Sequence, residues 1–466
     1  MAKNLTVGSP LRLIIVFTLP LLIGNLFQQG YAVADAVVVG RMLGVDALAA
    51  VGASGSLQFL LFGFAMGCSA GLAIPVSRAF GAGDLPAMRR AVATGIVISA
   101  VVALAITLIG TLGARTLLSW LGTPPELMAQ STTFLVVLFS GSFATVAFNY
   151  LSAVIRALGD SRTPLVFLVI ATVLNVALVI VFIGALGTGV GGAALATVVA
   201  QAISVLLCII LIWRRMPHLH LSRADWRLEL PKVRESTNLG VTLGFQMSII
   251  ALGAAMLQFG INGLGTDAVA AFTAAMRVDQ VAVIPLATVG VAITTYVAQN
   301  AGAREWRRIR TGVRQALLVA MGMALALGLV IFVGGAWMVR MFVGDGQDRV
   351  VGMAHDYLIV NAALYAILAV LFVTRHAIQG LGSTLAPTMA GVFELVARGV
   401  IGVFVVGQAG FLAVILAAPV AWVAALIPLL IAWRYHHRRL VLSEREAEDA
   451  ARLEAQEDPH LQPCVA

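Results

Sequence analysis

Two stretches of the chain, 221 residues apart, are divergent copies of each other. Residues 44–50 read GVDALAA, and residues 265–271 read GTDAVAA. Further pairs continue the match at offsets of 221 and 223: Gly81 with Gly302, Arg89 with Arg310, and Pro164 with Pro387. A repeat of roughly 220 residues predicts a fold made of two similar halves.

Both halves are almost wholly apolar. Of the 466 residues, 60% are hydrophobic and only 11% are charged, against about 25% charged residues in soluble domains. A globular protein could not hide so much apolar material, because its surface has to be largely polar and grows with its size. The sequence therefore predicts an all-α polytopic membrane protein.

Twelve apolar runs each exceed the roughly 20 residues that a helix needs to cross the hydrocarbon. The short alternating segments typical of a membrane β-barrel are absent. The predicted spans are 13–39, 47–74, 90–119, 129–156, 163–186, 189–213, 236–262, 268–299, 312–339, 351–380, 384–406 and 409–433. Each half has an even number of spans, so we expect two six-helix bundles related by a pseudo-twofold axis along the membrane normal.

Lysine and arginine are distributed unevenly among the connecting segments. With the N-terminus placed inside, the inner segments hold 22 of these residues and the outer segments hold 4. This bias predicts a multi-pass protein of the plasma membrane with both termini in the cytoplasm. Basic loops facing an anionic leaflet explain the net charge of +8, so no nucleic-acid partner is expected.

The predicted organisation has four parts. These are an N-terminal bundle at 1–213, a cytoplasmic linker at 214–235, a C-terminal bundle at 236–434 and a charged cytoplasmic tail at 435–466. The three cysteines lie far apart and form no metal or disulfide pattern, so no metal site is predicted.

Ionisable groups inside the spans are the first candidates for function, because a charge in lipid is costly. Asp35 lies in the first span and has no cation within helical reach, since Arg41 is six residues further on. An unpaired buried carboxylate binds a proton or recruits a metal cation. Asp35 is therefore the candidate coupling residue, and the alternative is a neutral Asp that hydrogen-bonds to a neighbouring helix.

The C-terminal half carries its own ionisable groups. Glu394 and Arg398 are spaced i, i+4, so we interpret them as a structural ion pair within one helix. Arg277 and Asp279 are spaced i, i+2 and cannot neutralise each other. Two interpretations of Asp279 stay open: it faces a cavity together with Gln280 and binds substrate, or it pairs with another helix, for example through Arg398.

Uncharged polar residues and a proline complete the set of candidates. Gln28, Gln246 and Gln258 lie on predicted spans and are candidate substrate contacts. Taken singly, each is as well explained by hydrogen bonding between helices. Pro20 lies fifteen residues before Asp35 and is expected to kink the first helix, as a static bend or as a hinge.

Several ordered segments together resemble the multidrug and toxic compound extrusion (MATE) family. The first span reads LPLLIGNLFQQGY from Leu19, followed by Asp35 and by VGR at 39–41. The other matching segments are LN at 174–175, GGAALAT at 191–197, RVDQ at 277–280 and VAQNAGA at 297–303. The resemblance covers about residues 10 to 435, with landmarks in both halves.

The resemblance implies two bundles around a central cavity and export of cationic or amphipathic drugs in exchange for protons or sodium. Asp35 matches the family's first-helix acid, which binds the coupling cation, and Asn175 matches its partner on the fifth span. Four residues after Asn175, where many members carry a second acid, this chain has Val179. A hard metal cation needs several oxygen ligands, so the single carboxylate suits a proton better.

The predicted function is therefore a secondary antiporter for small organic substrates that works by alternating access. We expect a monomer surrounded by lipid, with no catalytic residues and no cofactor beyond the coupling proton or sodium ion. The main alternative is a lipid or glycan-precursor flippase of related fold. That activity would favour a strongly cationic cavity, whereas only Arg277 and Arg398 lie at membrane depth.

Two further classes fit less well. A major-facilitator transporter also has six plus six helices, but the loop after the second span lacks the expected Asp-Arg-x-Gly-Arg/Lys pattern. A membrane-embedded enzyme would need His, Asp or Ser clustered near one interface, and the 7 histidines lie in loops, span ends and the tail.

Overall fold

The structure is a computed structural model that describes residues 4–344 and 346–457. For residues 33, 34 and 451–457 only the backbone is described. The last part of the predicted tail, 458–466, lies outside the described residues together with Cys464.

The described residues are almost entirely helical. In chain order the α-helices are α1 (Pro10–Leu43), α2 (Val45–Gly81), α3 (Leu85–Trp120), α4 (Pro125–Ser140), α5 (Ser142–Ala157), α6 (Arg162–Val179), α7 (Gly189–Arg215), α8 (Leu230–Asn262), α9 (Thr266–Gly302), α10 (Trp306–Val343), α11 (Asp348–Ala363), α12 (Tyr365–Gly380), α13 (Leu385–Val400), α14 (Val406–Ala409) and α15 (Phe411–Glu457). Two π-helical segments, Ile180–Ala185 and Ile401–Val405, extend α6 and α13.

The two halves repeat each other element by element. Helices α2 and α9 both have 37 residues, and both of their ends differ by the offset of 221 seen in the sequence. Each half also has one broken span and one π-helical segment at matching places. We call α1–α7 the N-lobe and α8–α15 the C-lobe.

The described chain has 10 helices that could cross a membrane, and two bent pairs bring the number to 12. The pairs are α4 with α5, bent by 51°, and α11 with α12, bent by 53°. The sequence predicted continuous spans at both places. Apolar patterning does not reveal these breaks, because the residues on either side of each bend are equally apolar.

The breaks lie at Gly141 and Leu364, which are equivalent at the offset of 223. A side chain at Gly141 could not fit, because a Cβ there would lie 2.3 Å from Val198 on α7. The C-lobe makes the same bend at a leucine, so glycine alone does not cause it.

The connecting segments differ from the predicted bounds at both ends of the C-lobe. The linker contains two 3₁₀ turns, Pro217–Leu219 and Arg223–Trp226, and α8 already begins at Leu230. Helix α15 continues beyond the predicted span end into the tail as far as Glu457. Its tail part is held to α10 by an ion pair between Glu444 and Arg310.

One end of the molecule carries residues 4–9, the linker and the tail part of α15, and we call it the terminal end. The lobes are in contact there, because α2 packs against α8 and α9. A Cβ at Gly67 or Gly71 of α2 would lie 2.4 Å from a backbone oxygen of α8. Close contact of this kind needs glycine, as in other membrane helix pairs. We call this contact surface the seam.

Candidate cation and substrate sites

Asp35 lies on α1 within the N-lobe and is half-buried. In the described part of the chain no cationic side chain pairs with it. Tyr31 lies one helical turn before Asp35, close enough for the carboxylate charge to act on the phenol. Thr197 on α7 lies near the tyrosine hydroxyl.

Asn175 completes this N-lobe cluster from α6. Its Nδ2 donates to the Thr197 hydroxyl at 3.0 Å, and its side chain is 2% exposed. Its Oδ1 is buried and accepts no hydrogen bond from the described residues. Asp35 and Asn175, which were both predicted, thus lie in one cluster with Tyr31 and Thr197. The spacing of Tyr31 and Asp35 at i, i+4 was a signal that the sequence offered.

Val179 lies one turn after Asn175 and is fully buried. An apolar residue at this point leaves Asp35 as the single carboxylate of the cluster. Among the described residues no three His, Cys, Asp or Glu side chains lie close enough together to hold a metal ion.

The predicted pair of Glu394 and Arg398 is present on α13, with Arg398 Nη2 donating to Glu394 Oε1 at 2.8 Å. A second arginine also reaches the carboxylate, because Arg375 Nη2 donates to Glu394 Oε2 at 3.2 Å. Arg375 lies near the end of the predicted span 351–380 and is one of the 22 basic residues counted on the inner side, whereas the structure buries it on α12 at 4% exposure. One buried carboxylate therefore serves two guanidinium groups.

Asp279 lies close to this triad inside the C-lobe. It is 7% exposed, and its Oδ1 accepts a hydrogen bond from the Tyr365 hydroxyl at 2.7 Å. The charge of Arg398 acts on the same carboxylate. The expectation that Asp279 faces a cavity does not match this position, since the side chain points into the lobe. The other interpretation, contact with neighbouring helices, describes the geometry better.

The predicted glutamines divide into two groups. Gln246 is buried at 3% exposure, accepts from Gln379 at 2.8 Å and donates to the backbone oxygen of Pro387 at 3.3 Å. It therefore holds α8 to α12 and α13. In contrast, Gln28 and Gln280 are exposed, and Gln258 is half-buried and donates to Asn262 at 2.8 Å.

Helix α1 connects the two lobes near its middle. It continues through Pro20 as one helix, so the proline does not break it in this state. Five residues later, Asn25 donates to Thr288 on α9 at 2.9 Å. Helix α1 thus carries Pro20, a contact with the opposite lobe and Asp35 in succession.

A cavity of about 740 Å³ lies elsewhere, at the terminal end between the start of α1 and the start of α6. Its lining includes Arg12, Phe17 and Arg162, and none of the predicted site residues. The polar clusters described above are therefore separate from this cavity.

Two repeated six-span lobes, with acidic side chains within their spans, define a two-lobed membrane transporter. The MatE family model matches residues 20–181 and 243–405, which together make up most of the chain. The protein therefore belongs to the MatE family of multidrug efflux transporters.

Individual relatives agree with this assignment. The chain is 28% identical over 388 residues to the probable multidrug resistance protein YpnP of Bacillus subtilis (strain 168), covering 82% of this chain and 85% of the relative. It is 22% identical over 397 residues to a protein of Shewanella oneidensis named FAD transporter, covering 83% and 85%. A MATE family transporter in an outward-facing conformation superposes with a TM-score of 0.85 at 22% identity, covering 94% of this chain and 98% of that one.

Proposed function

We propose that this transporter exports cationic or amphipathic organic compounds across the plasma membrane in exchange for protons, by alternating access. The observation that carries the proposal is Asp35, a half-buried carboxylate with no cationic partner in the described chain. A carboxylate of this kind can bind and release a proton with little rearrangement around it. No catalytic residue and no cofactor is part of the proposal.

The N-lobe cluster supports a proton over sodium as the coupling ion. Sodium needs several oxygen ligands, as hard cations do. Asp35 is the single carboxylate of the cluster, since Val179 contributes no oxygen. A proton needs only one carboxylate, and the hydroxyl of Tyr31 lies close to it.

The proposed orientation of the protein in the membrane follows from the distribution of its positive charges. The segments of the terminal end carry most of the arginines, so this end is placed in the cytoplasm. In the state described here the cytoplasmic end is closed at the seam. We expect the transporter to act as a monomer within the lipid.

The experiment that tests the proposal uses purified protein in proteoliposomes loaded with a fluorescent organic cation. We expect an imposed pH gradient to drive movement of the cation, and an equal sodium gradient to drive none. Movement that follows the sodium gradient alone would refute proton coupling. Movement indifferent to both gradients would refute antiport.

An anionic substrate is a second candidate, supported by one residue. Arg277 lies on α9, is exposed, and forms no ion pair with the described residues. A relative is named FAD transporter. Competition of unlabelled FAD with the fluorescent cation in the same proteoliposomes distinguishes the two: inhibition by FAD favours the anionic substrate.

A further inference from the structure

Residues 78 and 299 occupy equivalent positions in the two repeats, since they differ by the offset of 221, yet they are different amino acids. Arg78 lies near the end of α2 in the N-lobe, and Gln299 lies near the end of α9 in the C-lobe. Each side chain crosses the seam at the terminal end and binds the opposite lobe.

The two targets lie at corresponding helix ends, one residue apart in the alignment of the repeats. Gln299 Nε2 donates to the backbone oxygen of Ala157 at 2.7 Å, at the last residue of α5. Arg78 Nη2 donates to the backbone oxygen of Leu381 at 3.4 Å, at the residue that follows α12. Helices α5 and α12 are the second segments of the two broken spans. Carbonyl oxygens at a helix end have no partner within the helix, so they are available to a donor from the other lobe.

Additional contacts hold each side chain in place. Arg78 Nη1 donates to Glu235 of α8 at 2.9 Å. A Cβ at Gly382 would lie 2.1 Å from Arg78 Nη2, and Gly382 has a φ of +81°, so only glycine leaves room for this arginine. On the other side, Gln299 Oε1 accepts from the backbone nitrogen of Leu5 at 2.9 Å.

The helix ends that carry these side chains are also in contact with each other. A Cβ at Gly81 would lie 1.9 Å from the backbone oxygen of Gln299, and a Cβ at Gly302 would lie 1.9 Å from that of Arg78. Gly81 and Gly302 are themselves equivalent in the repeat. The two lobes therefore meet here through equivalent positions of the two repeats, which are related by the pseudo-twofold axis.

We propose that Arg78 and Gln299 form a reciprocal latch that holds the terminal end closed and so sets how often the transporter opens there. Both are positioning residues that act on the balance between closed and open states. The latch rests on the proposed function only in assuming that the lobes separate at this end during the transport cycle. Removing either contact weakens the closed state and leaves the interior of both lobes unchanged.

Cys68 provides a reporter of opening. It lies on α2 at the seam, is 1% exposed, and its sulfur is the atom nearest to a Cβ built at Gly240 of α8, at 3.0 Å. A protein with Cys208→Ala and Cys464→Ala keeps Cys68 as its single thiol. The rate at which a water-soluble maleimide modifies Cys68 in nanodiscs then measures how often the seam opens.

We expect Arg78→Ala and Gln299→Ala each to raise this rate by about three- to tenfold, which is the net effect of one or two hydrogen bonds. Both act on one equilibrium, so the double variant is expected to label faster than either single variant; because the two helix ends are in contact, its factor need not equal the product of the two. Arg89→Ala is the matched control, since Arg89 of the N-lobe donates to the backbone oxygen of His218 in the linker at 3.1 Å and does not bind the C-lobe. Its rate is expected to equal that of the parent protein.

Glu235→Gln tests the latch without shortening a side chain of the seam, and we expect a smaller increase of about twofold. If size-exclusion chromatography shows that Arg78→Ala is not folded, Glu235→Gln still tests the contact of Arg78 with α8. Unchanged rates in Gln299→Ala and in Glu235→Gln, with folded protein, would overturn the latch. The labelling rate does not depend on transport. If labelling is faster in the variants but the protein shows no gradient-driven export, antiport is refuted and the latch is still supported.

Discussion

The two lobes share one fold and differ in the polar groups that they bury. At the position equivalent to Asp35 the C-lobe has Met256, and at the position equivalent to Asn175 it has Arg398. Conversely, the N-lobe positions equivalent to Glu394 and Arg375 are Ala171 and Ser152. The duplication thus preserved helices, breaks and seam glycines, while each lobe acquired its own buried chemistry.

The two lobes differ in how their buried charges are balanced, and this difference favours different roles for them. In the C-lobe two carboxylates, Glu394 and Asp279, lie near two arginines, Arg375 and Arg398, so opposite charges offset each other. In the N-lobe Asp35 has no cation to offset it in the described chain. Adding a proton to Asp35 removes its charge without stranding a partner, whereas protonating Glu394 would leave two guanidinium groups uncompensated. Under the proposed function, this comparison favours coupling in the N-lobe and a mainly architectural role for the charges of the C-lobe.

The largest expected effect comes from Asp35→Asn. The amide mimics the protonated carboxylate and cannot release a proton, so drug binding is expected to persist while export driven by a pH gradient falls to background. The measurement is cation transport across an imposed pH gradient in inverted vesicles, together with equilibrium binding of the same cation.

Asp46→Asn is the matched control for this variant, because Asp46 lies in the same lobe but is exposed in the first turn of α2. It is expected to transport like the parent protein. If Asp35→Asn shows gradient-dependent transport at the level of the parent protein, Asp35 is not the coupling residue, and the coupling site has to be sought in the C-lobe.

Glu394→Ala is expected to affect folding first. It strands Arg375 and Arg398 in the lobe interior, and breaking a buried pair of this kind costs about 3–5 kcal/mol. We expect a large drop in the yield of folded protein and a lower midpoint of thermal unfolding in detergent.

The exposed Glu229 gives the control for this prediction, because it also binds two cations, Arg90 at 2.7 Å and Lys232 at 2.8 Å. Glu229→Ala is expected to fold like the parent protein, since exposed pairs add little stability. If Glu394→Ala also folds normally but loses export, then the C-lobe triad is functional rather than architectural.

A smaller effect is expected from Asp279→Asn. The amide oxygen can still accept the hydrogen bond from Tyr365, so the fold is expected to survive. The negative charge is lost, and in the low dielectric of the lobe that charge attracts a bound cation over some distance. We expect export of cationic substrates to fall by about three- to tenfold, with neutral substrates unaffected.

Tyr365→Phe separates the charge from the hydrogen bond, because it removes the bond and keeps the carboxylate. It is expected to lower thermal stability slightly and to leave the preference for cations unchanged. An equal loss for neutral and cationic substrates in Asp279→Asn would show that Asp279 supports only the structure of the C-lobe.

The sequence was most informative where the evidence lies within one helix. The spacing of Glu394 and Arg398 predicted their contact, and apolar run lengths predicted the spans. Contacts between helices were mostly missed, because they depend on how each helix is rotated about its axis. Arg375 looked like a loop residue from its place near a span end, and only the packing of α12 against α13 brings it to Glu394.

The N-lobe cluster illustrates the same limit. Asp35 and Asn175 were predicted together through the family resemblance, and nothing in their spacing indicates that Thr197 contacts Asn175. Likewise, the buried Gln246 and the half-buried Gln258 are indistinguishable on the predicted spans. Burial separates them only after α8 has been placed against α12 and α13.

The smallest expected effect is a local response of the linker to acid. Its measurement tests whether the linker loosens at low pH without the neighbouring helices of the two lobes. The backbone nitrogen of Ser222 and its hydroxyl both donate to Asp225 at 2.7 Å, and these bonds hold the pKa of the carboxyl below its ordinary value. A lowered pKa means that the stabilisation is complete above the unfolded pKa of about 4 and is lost as the pH falls through the folded value. We therefore expect the protection factors of residues 223–227, which compare the observed hydrogen-exchange rate with the intrinsic rate at the same pH, to be constant from about pH 7 to pH 5 and to fall below about pH 4. Ser222→Ala should weaken this acid dependence, because it removes the hydroxyl donor and keeps the backbone donor, with a cost of about 1 kcal/mol confined to the linker. Acid loosening of unchanged size in Ser222→Ala, or loosening that reaches α7 and α8 at the same pH, would place its cause in the lobes instead.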